Sequence, residues 1–103
     1  MMQTKVYSGL IEKVERARVR AGVMSVRFWM NMTEPPVFLA FEDGTTGWDL
    51  IKKGAFVEVE AEPPSSGYPN AIARRVTIAD REMVCDRTLA QQAMEDAGQS
   101  GLF

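Results

Sequence analysis

The chain is 103 residues long with a net charge of −2, enough for one domain around a single core. No apolar run approaches the roughly 18 residues of a membrane span. Histidine is absent and Cys85 is the lone cysteine, which excludes an internal disulfide and the Ser-His and Cys-His nucleophile systems. A metal site would have to be built almost wholly from carboxylates.

Lys5 to Met32 reads as two long strands joined at Ala21-Gly22. With those two residues as the turn, Arg20 faces Val23, Arg18 faces Ser25, Arg16 faces Arg27 and Val14 faces Trp29. Alternation across a sheet then gathers four arginines and a tryptophan on one face. Val19 with Met24, Ala17 with Val26 and Glu15 with Phe28 fall on the other. Gly9 interrupts the first strand and predicts a bulge or sharp coil there, as when one strand serves two sheets. Glu34-Pro35-Pro36 ends the second strand. Val37 to Phe41 is a short third strand in which either Val37, Leu39 and Phe41 are core, or Phe38 is.

Thr45 to Gly54 predicts a short helix with Thr45 or Thr46 as N-cap and Gly54 as a left-handed stop. Trp48, Leu50 and Ile51 would plug one end of what the strands enclose. Ala55 to Glu62 alternates cleanly, with Val57, Val59 and Ala61 inward and Glu58, Glu60 and Glu62 outward. Phe28, Phe56 and Met24 belong to the core or its edge. Residues 63–70 form a breaker-rich hairpin loop, and Ala71 to Ile78 is a fifth strand whose Arg74 and Arg75 answer the glutamates. Asp80 to Ala97 predicts a C-terminal helix capped by Asp80 and stopped by Gly98, its apolar stripe comprising Met83, Val84, Ala90, Ala93 and Met94. Residues 1–79 would then be the main fold, 80–97 the helix and 98–103 a flexible tail.

The order of elements matches the five-stranded OB-fold barrel, which carries a short helix between strands 3 and 4; the expected class is therefore mainly β with a C-terminal helix added. The run Trp48-Asp49-Leu50-Ile51-Lys52-Lys53-Gly54-Ala55-Phe56-Val57-Glu58-Val59-Glu60 resembles a segment of bacterial single-stranded-DNA-binding proteins, in which a helix ends in a Leu-x-Lys-Gly-like step and enters an alternating strand. Thr4-Lys5-Val6-Tyr7-Ser8-Gly9 is similar to that family's opening strand. The resemblance implies a binding face on strands two and three, flanked by two loops. It reaches Arg27 and Trp29, the hairpin tip around Arg18, Arg20 and Gly22, and Tyr68 in the second loop. The family's acidic tail ending in phenylalanine recruits partners; Glu95-Asp96 and Leu102-Phe103 are the parallel here, and through them replication proteins are implied partners. The family's long Gln/Gly/Pro-rich tail is missing.

Charge favours the same class. Residues 1–33 hold six basic and two acidic side chains, and residues 34–103 hold six and twelve, so the local field near the N-terminus attracts anions despite the negative total. Single-strand binding needs cations along the phosphates and aromatic faces for the bases. Arg16, Arg18, Arg20 and Arg27 supply the first, Trp29 and Tyr68 the second. The expected function is low-specificity binding of single-stranded DNA, or RNA, in replication or recombination, by a cytoplasmic, phage- or plasmid-sized homo-oligomer with no catalysis, no cofactor and no membrane attachment. The competing expectation is an OB-like adaptor that binds another protein, since arginine and tryptophan also populate protein interfaces. Asp43, Asp49 and Asp80 have no spacing that would bring them together around a metal.

Overall fold

The computed structural model describes residues 3–30, 35–65 and 69–100. It is mainly β, with one C-terminal helix. The strands are β1 (Lys5–Leu10), β2 (Lys13–Arg20), β3 (Val23–Trp29), β4 (Val37–Glu42), β5 (Phe56–Glu62), β6 (Ala71–Ile78) and β7 (Arg81–Val84), followed by α1 (Arg87–Ser100). They form one sheet in the order β1-β5-β6-β4-β3-β2, with β7 on β6. All ladders are antiparallel except β4 with β6. No ladder joins β1 to β2, the two ends of this path; the chain itself links them through Ile11 and Glu12.

The first strand does change partners, but at residues 11–12 and without the bulge expected at Gly9. Lys5 to Leu10 pairs continuously with β5. Then Ile11 is buried while its N–H donates to the Ala55 carbonyl, and the next amide, of Glu12, donates to Trp29. Two consecutive backbone donors thus serve two different neighbours, so no polar group is orphaned where the strand turns from β5 to β3.

The bulge lies instead near the hairpin tip. Arg20 faces Val23 as expected, but the register shifts between Arg18 and Arg20. Below the shift Arg18 faces Met24, Arg16 faces Val26, Glu15 faces Arg27, Val14 faces Phe28 and Lys13 faces Trp29. One extra residue, Val19, moves every residue below it to the opposite face.

The inner face holds the main core, where Val26, Phe28, Val37, Leu39, Ile51, Val57, Val59, Ala61 and Val76 pack together. On the other side of the sheet α1 lies over Val23, Phe38, Ala40 and Ile72, burying them under Ala90 and Ala93. Strand β4 is therefore covered on both faces. Val37 and Leu39 enter the main core while Phe38 and Ala40 enter the helix cluster. A continuous apolar run is what a strand covered on both sides requires, and it is why alternation alone left two readings open.

Three other expectations are corrected. The segment 45–54 contains only one 3₁₀ turn, Trp48–Leu50, preceded by Gly47 and not capped by Thr45 or Thr46. A Cβ at Gly47, whose φ is +96°, would come within 2.8 Å of Met83 Sδ, so close packing against β7 leaves no room for a side chain. The helix predicted from Asp80 starts at Arg87, because Arg81–Val84 adds a strand to β6. Ala79 and Asp80 form the two-residue turn between β6 and β7, both with positive φ (50° and 65°), as tight hairpins need. Asp86 caps α1 in place of Asp80, its carboxylate accepting from the Leu89 N–H at 3.0 Å. Within the stripe assigned to that helix, Met83 enters the main core from β7 and Val84 faces solvent. The helix also runs past Gly98 to Ser100. Finally, Phe56 is exposed, lying beside Leu10 on the outer surface, and Glu62 is buried.

Candidate nucleic-acid interface

The corrected register divides the predicted arginine cluster. Directly opposed residues share a face, so Lys13, Glu15, Arg27 and Trp29 project from the outer face while Val14, Arg16 and Arg18 project from the inner one. Arg20 lies on the outer side at the far end of the hairpin. Six residues along β3 separate its partner Val23 from Trp29, about 20 Å at strand rise. The structure brings together only Arg27 and Trp29 of the six predicted site residues. Tyr68 lies outside the described residues, as do Leu102 and Phe103.

Around Trp29 the outer face forms a compact patch. The Lys13 Nζ sits 4.9 Å from the indole centroid and the Arg27 guanidinium carbon 5.0 Å. Both distances are in the range where a cation is held by the ring quadrupole. Trp29 is half-buried, so part of the ring remains open to solvent. Glu15 completes the patch: Arg27 donates to its Oε1 through Nη2 at 2.6 Å and Nε at 3.2 Å, and Lys13 lies 3.4 Å from its Oε2. The Arg27 hydrogen bond holds the Glu15 carboxyl below its ordinary range. The patch carries a net single positive charge, one side of an indole, and a guanidinium already oriented by a carboxylate. Lys13 was missed as a site residue because the expected register set it out of phase with Trp29.

The other arginines have separate tasks. Arg16 reaches under the sheet and donates from Nη2 to the carbonyls of Trp48 (3.1 Å) and Ile51. These are the carbonyls that the 3₁₀ turn leaves at its end, where negative partial charge collects. Arg18 pairs with Asp43 at 2.8 Å, tying the hairpin to the end of β4. Arg20 donates to Gln92 of α1 at 3.3 Å, and α1 in turn is anchored by Arg87 to Glu62 at 2.6 Å, with Arg74 on the same carboxylate at 3.3 Å. Arg75 meets Glu82 of β7 instead of a β5 glutamate.

Beneath β2 and β3 lies an open groove of about 730 Å³, walled by Val14, Arg16, Phe41, Trp48, Lys52 and Lys53. Phe41 and Trp48 stack with centroids 4.9 Å apart and planes 16° from parallel. Trp48 is buried, as expected for core, yet its indole N–H makes no hydrogen bond, a cost of about 1–3 kcal/mol that the stack and burial of the ring must offset. Among the described residues no group of three acidic or cysteine side chains is placed to hold a metal ion. No helix is long and apolar enough to cross a membrane.

Compared with protein-family models, curated proteins and solved structures, the chain gives no match.

Proposed function

We propose that the chain is an OB-fold barrel that binds single-stranded nucleic acid, DNA foremost, with little sequence preference. Two features support the fold reading. A long N-terminal strand is shared between β5 and β3, and the sheet's single parallel ladder joins β4 to β6. An OB barrel combines a divided first strand with antiparallel neighbours. The observation that carries the functional reading is the Trp29 patch, an accessible indole face bracketed by Lys13 and Arg27. A base stacks on the ring and the flanking phosphates meet the two cations. Because stacking uses a π-face common to all bases, binding of this kind tolerates sequence. Strands laid bare in replication or recombination are the substrate such a surface suits.

Titration with oligo-dT should quench tryptophan fluorescence, and affinity should fall steeply with salt. Trp29→Ala should weaken binding by about 1–3 kcal/mol with the fold intact by circular dichroism. Absence of any mobility shift with single strands at low salt would overturn the reading.

A protein-binding adaptor is the second reading, favoured by a different surface. Val6, Leu10 and Phe56 are all more than half exposed, and Leu10 and Phe56 face each other across β1 and β5. Apolar side chains grouped on an outer sheet face suit another protein or a second copy of the chain. Association insensitive to salt would favour this reading.

A further inference from the structure

The groove beneath β2 and β3 has a charge pattern that packing does not explain. Lys52 and Lys53 are exposed on its rim and make no ion pair with any described residue. Arg16 spends only Nη2 on the carbonyls of Trp48 and Ile51, leaving the N–H groups of Nε and Nη1 without an acceptor among the described residues. Asp49 is the one acid in the wall. Three cations with unspent donors therefore surround an open space backed by the stacked Phe41 and Trp48 rings. In the same wall, the Trp48 N–H is a buried donor with no acceptor.

The position of the groove relative to Trp29 follows from the register. Lys13 and Val14 are successive residues of β2, the last strand of the sheet. Lys13 stands against Trp29 on the outer face, whereas Val14 and Arg16 line the groove on the inner one. A chain lying on Trp29 needs only to cross the β2 edge to enter the groove. We propose that the groove is a second subsite for the same single strand, taking one of its phosphates on Arg16, Lys52 and Lys53 while an adjoining base enters beside Phe41. This rests on the nucleic-acid reading above and adds a path: the strand wraps the edge of β2 instead of running along the hairpin toward Arg20.

Lys52→Ser combined with Lys53→Ser is the test, because both side chains are exposed and their loss leaves the core untouched. Arg16→Ala is less suitable, since Arg16 also holds the 3₁₀ turn. Binding is measured across a salt series for the double variant and the unchanged protein, with oligo-dT of about 4 and about 16 nucleotides, the limits of what one OB fold covers. A short strand that occupies the Trp29 patch should bind both proteins alike. The longer strand should show a log-log salt slope shallower in the variant by about 1.4, two phosphate contacts at about 0.7 each for single strands. An unchanged slope with the longer strand overturns the second subsite while leaving the Trp29 reading standing. A loss equal for both lengths overturns the wrapped path, since the lysines would then belong to the primary site. Failure of the unchanged protein to bind either strand overturns both readings.

Discussion

Glu15 controls how much of the Trp29 patch is available to an anion. Its carboxylate takes two donors from Arg27 and one contact from Lys13, which orients both cations beside the indole but also competes with a phosphate for them. An exposed pair of this kind is worth at most about 1 kcal/mol, so a phosphate can displace it. Glu15→Gln should therefore tighten oligonucleotide binding, by about two- to fivefold, and unchanged or weaker binding would show that Arg27 does not reach the ligand. The pH dependence has the same origin. The Glu15 pKa is lowered in the folded protein chiefly by the Arg27 hydrogen bond, so its stabilising contribution is present above the unfolded carboxylate value and is lost as pH falls through the folded one. Acidification in that window releases Arg27, and the Gln variant should lack this part of the acid response.

At the scale of elements, α1 is held to the sheet by apolar contact and by one buried carboxylate. Glu62 is 5% exposed and serves Arg87 of the helix and Arg74 of β6. Both guanidinium groups are partly open to solvent, so removing their partner does not strand a buried cation, and the loss stays below the 3–5 kcal/mol of a fully buried pair. Glu62→Gln should lower stability by about 2 kcal/mol, the worth of a hydrogen bond to a charged group, read from the urea midpoint; a midpoint unmoved would mean that Ala90 and Ala93 alone hold the helix. Elements were legible in the sequence where side chains alternate against a single core, as at Val57, Val59 and Ala61. They were illegible where the deciding fact was backbone conformation. Ala79-Asp80 lacks the glycine that usually marks a tight hairpin, so β7 was absorbed into the helix. The bulge at Val19 bears no mark either, because valine is at home in any strand, and with it went the arrangement of the arginines. Glu62 was misplaced because alternation cannot see a helix arriving with two arginines for it.

For the whole molecule, the sheet separates two apolar clusters, and Cys85 reports on the larger. It lies 5% exposed among the main-core residues, and burial pushes its thiol up to about 12. At pH 8 the native thiol is protonated and shielded, so alkylation should proceed only through opening of the fold and should accelerate with urea in step with unfolding. Rapid stoichiometric labelling of native protein would contradict that packing. The register of the β2–β3 hairpin has a different reach. Because a single supernumerary residue decides which hemisphere receives Arg16 and Arg18, the geography of charge depends on counting along the chain more than on what the chain contains. Two hairpins of identical composition, one with and one without Val19 in its place, would display mirror-swapped surfaces: a ligand that meets guanidinium groups on one would meet valine and phenylalanine on the other.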